Sequence, residues 1–135
     1  MGLERHARQP AVLGAVAAGG ALGAAARYGL AQLVPLARHT FPWATWLTNV
    51  SGSFALGLLV VVLVDRYPPS RFLRPLLATG FLGAYTTYST FAVQANQLIG
   101  EGRAGLAASY VGASLAGGLI AGAVGMVASR RLRRA

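Results

Sequence analysis

Serine and threonine residues crowd into one short stretch of this chain, in the middle of a long segment without charged residues. The segment covers 75–100, and four of the five positions from 86 to 90 are threonine or serine, with Gly80 and Gly83 just before them. Polar groups in hydrocarbon cost free energy unless they are paired, and irregular backbone at that depth occurs only where it is buried in protein or lines a cavity. We therefore interpret 80–91 as a place where a membrane helix is broken to make an ion site.

The composition indicates a membrane protein rather than a soluble domain. Hydrophobic residues make up 55% of the 135 positions and charged residues only 11%, whereas soluble domains carry about 25% charged residues. The length suits a single domain. Because the chain contains no cysteine, neither a disulfide nor a thiolate metal site can form.

Positive charge is abundant but does not indicate nucleic-acid binding. The net charge is +9, and all twelve residues counted as lysine or arginine are arginine. These arginines cluster between apolar runs, as they do around membrane spans, and a basic stripe with interleaved stacking aromatics is missing. We expect a lipid bilayer around this chain and no nucleic-acid partner.

Apolar runs separated by polar connections predict four membrane spans in one domain. The runs cover about 11–34, 43–64, 75–100 and 104–129. Pro68 and Pro69 prevent helix continuation in the second connection, and 101–103 forms a tight turn into the last span. The predicted fold is an all-α membrane protein with four transmembrane helices, the third of which is broken at mid-membrane.

The arginines also predict the orientation of the chain. Four spans put both termini on one side, which carries nine arginines, whereas the other side has two, Arg38 and Arg103. Because arginine-rich loops stay in the cytoplasm, both termini are predicted to be cytoplasmic. The lack of lysine, with abundant alanine, arginine and glycine, suggests a GC-rich bacterial genome and hence a multi-pass protein of the bacterial inner (plasma) membrane.

Two polar residues inside the first two spans leave alternatives open. Arg27 lies one turn beyond Gly19 and Gly23, whose spacing predicts close helix packing. Its guanidinium either reaches the nearer membrane interface or has a structural or vestibule role within the protein. Asn49 either bonds a neighbouring helix or presents its amide hydrogens to an anion.

The chemistry available within the spans is that of neutral hydrogen-bond donors. The three acidic residues and both histidines lie in tails or loops, so no buried base stands beside a serine and no membrane-embedded carboxylate serves proton-coupled cation export. We predict that the chain is not an enzyme. Hydroxyl groups, an amide and the positive rims of aromatic rings suit a small anion, whereas backbone carbonyls freed by a broken helix can hold a small hard cation.

Three stretches resemble motifs of the Fluc (CrcB-type) fluoride channels. Positions 80–91 read Gly-Phe-Leu-Gly-Ala-Tyr-Thr-Thr-Tyr-Ser-Thr-Phe and resemble the signature of the family's third helix. Positions 48–57, with Asn49, Gly52 and Gly57, resemble its second-helix motif, and 23–28 resemble its first-helix Gly-Ala-x-x-Arg-Tyr pattern. The match covers all four spans in order, at the expected chain length.

The resemblance implies a fluoride-selective channel subunit that exports cytoplasmic fluoride passively and lowers its toxicity. The implied assembly is an antiparallel dual-topology dimer with two narrow pores and a central structural Na⁺ that is not transported. The implied sodium ligands are the backbone carbonyls of Gly83 and Thr86 from each subunit. The implied fluoride pathway combines a vestibule side chain, two aromatic rims and the polar track of the fourth helix, namely Asn49, Tyr88, Phe91, Tyr110 and Ser114.

Three positions depart from the family pattern. Tyr88 stands where phenylalanine is usual, Gly118 where a second serine is often found, and Gln94 where glutamate is frequent. The uneven arginine count is a further departure, because a chain that inserts in both orientations should have nearly balanced arginines. The partner in the dimer is therefore either a second copy or a differently oriented paralogue. Two rival functions remain: a non-conducting subunit that only completes a dimer, and a scaffold whose polar cluster holds helices together.

Overall fold

The computed structural model describes residues 3–34, 40–65 and 71–132, and this part of the chain is helical without any strand. Long apolar runs form helices in a membrane because a helix satisfies its own backbone hydrogen bonds. The elements in order are α1 (Leu3–Leu33), α2 (Trp43–Asp65), a π-helical segment (Pro75–Leu82), the single turn α3 (Gly83–Tyr85), α4 (Tyr88–Gly100) and α5 (Ala104–Leu132). The all-α prediction is confirmed.

Three of the helices are long and apolar enough to cross a membrane. The qualifying stretches are Pro10–Leu33, Trp43–Leu63 and Ala104–Leu132, which match three of the four predicted spans. In the remaining predicted span, 75–100, helical structure is divided at Thr86 and Thr87. Helix α1 begins at Leu3, before the predicted first span of about 11–34, so the helix extends beyond the apolar run on that side. The predicted loop residues Arg38, His39, Pro68 and Pro69 lie outside the described residues.

Glycines let α1 approach the π-helical segment closely. A Cβ atom at Gly19 would overlap the Leu76 carbonyl oxygen, and one at Gly23 would overlap the Phe81 carbonyl oxygen. On the facing side, Gly80 lies against the backbone of α1 at Val16. The close packing predicted from the spacing of Gly19 and Gly23 is confirmed, and it fixes the position of the segment that leads into the serine- and threonine-rich stretch.

A second pair of helices, α2 and α5, packs through another set of glycines. A Cβ atom at Gly57 would overlap the Gly122 carbonyl oxygen, and one at Gly125 would overlap the Phe54 carbonyl oxygen. The Trp46 indole Nε1 donates to the Ala113 carbonyl oxygen at 3.0 Å across the same interface. Gly122 and Gly125 therefore belong to the face of α5 that packs on α2.

A tight turn returns the chain from α4 to α5. Gly102 has a φ of 76°, a left-handed conformation that glycine adopts without a Cβ clash. The Gly102 N–H donates to Ile99 at 2.9 Å and the Arg103 N–H to Leu98 at 2.8 Å, the paired bonds of a Schellman motif. The predicted turn at 101–103 is confirmed, and it lets α4 pack on the first half of α5.

The two halves of the third segment rest on different helices. The π-helical segment and α3 pack on α1, whereas α4 packs on α5; α2 touches both halves. Among the described residues, no Cα atom of α4 lies within 8 Å of a Cα atom of α1. The junction at Thr86 and Thr87 therefore lies between two helix pairs.

The glycine contact between α2 and α5 predicts a stability effect. We expect Gly57→Ala to lower the thermal unfolding midpoint of the purified protein, because the added methyl group meets backbone at Gly122, and overpacking of this kind costs about 1–3 kcal/mol. The matched control is Gly14→Ala, since nothing lies within 4 Å of a Cβ atom at Gly14. Equal midpoints for the two variants would contradict the packing described here.

Candidate functional site

Helical backbone is interrupted at two residues of the serine- and threonine-rich stretch. Thr86 has φ −79° and ψ 157°, and Thr87 has φ −148° and ψ 118°, so both residues are extended. The chain is helical again from Tyr88. Branching at Cβ makes threonine a weaker helix former than unbranched residues. Side chains nearby form hydrogen bonds with backbone groups that lose their helical partners at the interruption.

Asn49 on α2 holds the extended residues from the side. Its Nδ2 donates to the Thr87 carbonyl oxygen at 3.0 Å, and its Oδ1 accepts the Thr87 backbone N–H at 2.8 Å. Of the two alternatives left open by the sequence, a bond to a neighbouring segment is present. The Nδ2 amide carries two hydrogens, so the bond to Thr87 leaves one for another acceptor.

Thr87 caps the helix that follows it. Its Oγ1 accepts the Thr90 backbone N–H at 3.2 Å, donates to Thr90 Oγ1 at 3.0 Å and lies 3.3 Å from Ser89 Oγ. A threonine at this position provides a side-chain acceptor for one of the backbone N–H groups that have no partner at the start of a helix. Three of the hydroxyl side chains in the stretch are thus joined in one local network.

These contacts change the surroundings of two carbonyl groups. In a continuous α-helix the Thr87 N–H would donate to Gly83, and the Thr90 N–H would donate to Thr86. Both hydrogens are instead taken by side-chain oxygens, Asn49 Oδ1 and Thr87 Oγ1. The carbonyl oxygens of Gly83 and Thr86 therefore lack their usual helical donors.

Carbonyl oxygens are the groups at this site that could hold a cation. Within the described ranges, no cluster of three or more His, Cys, Asp or Glu residues could hold a metal ion. Unwound backbone carbonyls at a broken membrane helix suit a small hard cation such as Na⁺. The donor set at Gly83 and Thr86 therefore fits the predicted sodium ligands in chemistry.

A cavity of about 400 Å³ lies beside the interruption. Its walls come from α2, the third segment and α5, and none of the described residues that line it is charged. The hydroxyl, amide and aromatic side chains that line it are Asn49, Ser53, Thr86, Thr87, Tyr88, Phe91 and Ser114. The cavity thus brings together neutral hydrogen-bond donors and aromatic rings, as the sequence predicts for an anion site.

Most of the predicted site residues border this cavity. Besides Asn49, Tyr88, Phe91 and Ser114, the lining includes the predicted sodium ligands Gly83 and Thr86. Tyr88 is 81% exposed, and its ring centroid lies 6.0 Å from that of Phe91. The two predicted aromatic positions are therefore neighbours on one wall.

Tyr110 lies behind that wall rather than in the cavity. It is fully buried, its ring centroid lies 5.2 Å from that of Phe91, and its hydroxyl donates to Gln94 Oε1 at 3.0 Å. The Phe41 ring packs edge-on against its other side with a centroid distance of 5.3 Å. Tyr110 therefore supports the Phe91 ring and holds the Gln94 amide, a contact that the sequence did not predict.

Ser114 differs from the other hydroxyl residues of the site. Its Oγ is buried and has no hydrogen-bond partner among the described residues, although it borders the cavity. A buried hydroxyl without a partner costs free energy. Ser114 therefore combines a position in the cavity wall with a hydroxyl that no group in the described part of the chain satisfies.

Arg27 borders a second, smaller cavity of about 260 Å³. Thr45, Thr48, Thr87 and Thr90 line the same space, and Thr87 also borders the larger cavity. Arg27 is half-buried, so part of the residue packs against protein. Of the two sequence alternatives, this position favours a role within the protein.

Three features of the site are missed by sequence reasoning. The pairing of Asn49 with the Thr87 backbone depends on a tertiary contact between helices, and no local pattern announces it. Ser53 lies one helical turn after Asn49, so a search for polar residues at this spacing could have added it to the candidates. The contact between Ser51 Oγ and the Tyr85 hydroxyl, at 2.9 Å, was likewise not predicted.

Comparisons of the sequence with a family model and with individual proteins agree on one family. The sequence model described as CrcB-like protein, Camphor Resistance (CrcB), matches residues 14–126. The fluoride-specific ion channel FluC 1 of Mycobacterium bovis is 44% identical over 121 residues, which cover 90% of this chain and 92% of that protein. FluC 2 of Geobacillus kaustophilus is 42% identical over 123 residues, with coverages of 89% and 94%.

A relative with a longer chain is also similar. Fluoride-specific ion channel FluC 3 of Streptomyces avermitilis is 47% identical over 119 residues, which cover 88% of this chain and 58% of that protein. The matched region therefore spans little more than half of the Streptomyces protein and nearly all of the Mycobacterium and Geobacillus proteins.

The contrast between Tyr110 and Ser114 predicts different costs of removing their hydroxyls. Tyr110→Phe leaves Gln94 Oε1 without its donor, so we expect stability to fall by about 0.5–1.5 kcal/mol. Ser114→Ala removes a hydroxyl without a protein partner and should leave the thermal unfolding midpoint unchanged or higher. Thermal unfolding of the two purified variants beside the wild type measures both effects, and a larger loss for Ser114→Ala would refute the assignment.

Proposed function

Because this chain belongs to the CrcB-like family, we propose that it is a subunit of a fluoride-selective channel through which fluoride leaves the cytoplasm. Relatives that match nearly their whole length are named fluoride-specific ion channels, so the chain is a channel protein rather than an enzyme. Its proposed place is the plasma membrane of a bacterium.

The cavity at the interruption is the observation that carries this proposal. It offers an anion neutral donors, including the Ser114 hydroxyl, which has no partner in the described part of the chain. It also borders the rings of Tyr88 and Phe91, whose rims carry partial positive charge. Fluoride is small and strongly hydrated, and a channel must replace its water with several modest donors so that it can also leave.

Selectivity for fluoride follows from the dimensions and the chemistry of the proposed pathway. Glycine contacts hold the surrounding helices backbone to backbone, which favours a pathway too narrow for chloride, a form of size exclusion. None of the described residues along the cavity carries a carboxylate, a group that would repel an anion. Tyr88 adds a phenol hydroxyl at the position where the family usually has phenylalanine, and we propose that its ring edge still serves the pathway.

Export needs no chemical energy in this proposal. Weakly acidic HF that diffuses into the cell would dissociate inside, and a negative membrane potential drives the resulting anion outward with about 2.3 kcal/mol per 100 mV. The outward path through the channel would therefore lower cytoplasmic fluoride and its toxicity without ATP or protons.

A structural Na⁺ belongs to the proposal because the Gly83 and Thr86 carbonyls lack their helical donors. These carbonyls, one pair from each of two subunits, would hold the ion. A bound cation supplies positive potential near the anion path, and it would not be transported.

A dimer is proposed as the working form. The described chain exposes about 8800 Å², more than the roughly 6700 Å² expected of a compact protein of its mass. Large apolar side chains such as Leu115, Leu119 and Val124 on α5 are among those exposed, and lipid or a second subunit would cover them.

The arginine distribution favours a partner of different sequence. Nine arginines on the side of the termini and two on the other bias the chain toward one orientation. An antiparallel dimer would then need an oppositely oriented paralogue. Streptomyces avermitilis has at least two such related proteins, named FluC 2 and FluC 3, so paralogues do occur together in one organism.

Fluoride efflux from liposomes tests the pore. We expect Phe91→Ile to reduce efflux roughly 2- to 12-fold, because it removes a ring-edge interaction of about 0.5–1.5 kcal/mol. The matched control is Phe72→Ile, since Phe72 lies outside the cavity, and its efflux should equal that of the wild type. A fluoride electrode records the efflux, and a chloride electrode should record none.

The same assay separates the rival functions. Efflux only when a paralogue is reconstituted with this chain would identify a subunit that cannot conduct alone. No efflux in either setting would favour a scaffold and refute the channel.

Orientation can be measured because the chain has no native cysteine. We expect Ala104→Cys, at the exposed start of α5, to be labelled completely by a membrane-impermeant thiol reagent in intact cells, since single insertion places it outside. Labelling of only half the molecules would instead indicate dual topology and a homodimer. Lysed cells provide the control for total reactivity.

A further inference from the structure

Two backbone hydrogens near the interruption are held by side chains rather than by the helix. The Thr87 N–H lies 2.8 Å from Asn49 Oδ1, and the Thr90 N–H lies 3.2 Å from Thr87 Oγ1. Without these acceptors, the first hydrogen would be free to bond Gly83 and the second to bond Thr86, as in a regular α-helix. Each side-chain contact therefore protects one of the two carbonyls that are candidates for cation binding.

We propose that Asn49 and Thr87 are positioning residues for the cation site: they keep hydrogens off the Gly83 and Thr86 carbonyl oxygens and so leave them free to bind Na⁺. This inference rests on the sodium site of the proposed function. An N–H bonded to a carbonyl places a partial positive charge beside the oxygen, where a cation would have to lie. Removing that hydrogen favours the cation on electrostatic grounds.

Asn49 can act this way because α2 approaches the interruption closely. A Cβ atom at Gly52, one turn after Asn49, would overlap the Thr86 methyl group, and the Tyr85 ring lies 3.4 Å from the same point. Helix α2 is held against α5 in turn by the close contacts of Gly57 with Gly122 and of Gly125 with Phe54. The amide of Asn49 is therefore presented to Thr87 from a fixed support.

The proposed pathway role of Asn49 and this positioning role use different atoms. Oδ1 takes the Thr87 N–H, and one Nδ2 hydrogen goes to the Thr87 carbonyl. The second Nδ2 hydrogen remains for an anion in the cavity that Asn49 borders. Loss of fluoride transport in an Asn49 variant would therefore not tell the two roles apart, and the test must measure sodium binding.

Thr87 allows a nearly isosteric test. Thr87→Val keeps the side-chain shape but removes the oxygen that accepts the Thr90 N–H, whereas Thr87→Ser keeps that oxygen. Thr90→Val is the matched control, because it removes the side-chain bond between Thr87 and Thr90 but leaves the Thr90 backbone N–H on Thr87 Oγ1.

Asn49→Ala tests the other contact. Its control is Ser51→Ala, because Ser51 touches the same segment through the Tyr85 hydroxyl and not through backbone. If Asn49→Ala fails to fold, the Thr87 and Thr90 variants still decide the question.

The measurement is the thermal unfolding midpoint of the purified full-length protein as NaCl replaces N-methylglucamine chloride at constant ionic strength. A ligand that binds the folded state raises the midpoint. We expect Asn49→Ala and Thr87→Val to need roughly 10- to 100-fold more Na⁺ than the wild type for the same rise, as is typical when residues that orient metal ligands are lost. Thr87→Ser, Thr90→Val and Ser51→Ala should respond as the wild type does.

The outcomes separate this inference from the function on which it rests. A sodium response that is unchanged in Asn49→Ala and Thr87→Val overturns the inference. A wild type whose midpoint ignores Na⁺ overturns the sodium site itself and the inference with it. A normal sodium response with no fluoride efflux from liposomes, either with or without a paralogue, would refute the channel and leave the positioning role intact.

Discussion

The need to satisfy backbone hydrogen bonds without water governs this structure. A membrane helix can be interrupted only where other protein groups replace the lost bonds. Here one amide side chain meets both backbone groups of Thr87, and the Thr87 hydroxyl meets the start of the next helix. Helix α2 must lie close to the interruption, because the short Asn49 side chain has to reach Thr87. Only glycine at position 52 permits that approach.

The glycine-rich composition has a definite purpose in this context. Helices in lipid gain little from burying apolar side chains against one another, so close backbone packing supplies much of their attraction. The contacts of Gly19 and Gly23 with the π-helical segment, and of Gly57 with Gly122, are of this kind. They leave large side chains on the outside, and they place the polar groups of the third segment between two closely packed helix pairs.

Much of this fold could be predicted from the sequence, because apolar runs and their breakers are local signals. Three membrane-spanning helices match stretches predicted from composition. The turn at 101–103 was also predicted, from the short polar connection between two apolar runs. The π-helical hydrogen bonding of Pro75–Leu82 was not predicted, because no residue pattern in the sequence marks it. The start of α1 at Leu3 was also missed, since charged residues obscure a helix that the apolar run continues.

The candidate site could likewise be predicted only in part from the sequence. Residue types and spacing single out Ser114, Phe91 and Thr86, which do border one cavity. They cannot tell that Tyr110 faces the protein interior or that Asn49 is bonded on two sides, because both depend on how separate helices meet. A family motif names positions, whereas the roles of these two residues come from their partners.

The division of the third segment between two supports has a mechanical consequence. The part before Thr86 rests on α1 and the part after Thr87 rests on α5, and in the described ranges no Cα atom of α4 lies within 8 Å of one in α1. The cavity therefore lies where these two parts of the third segment meet, and its width depends on the distance between their supporting helices. A small displacement of either supporting helix would change the width of the cavity while leaving that helix packed on its own part of the third segment.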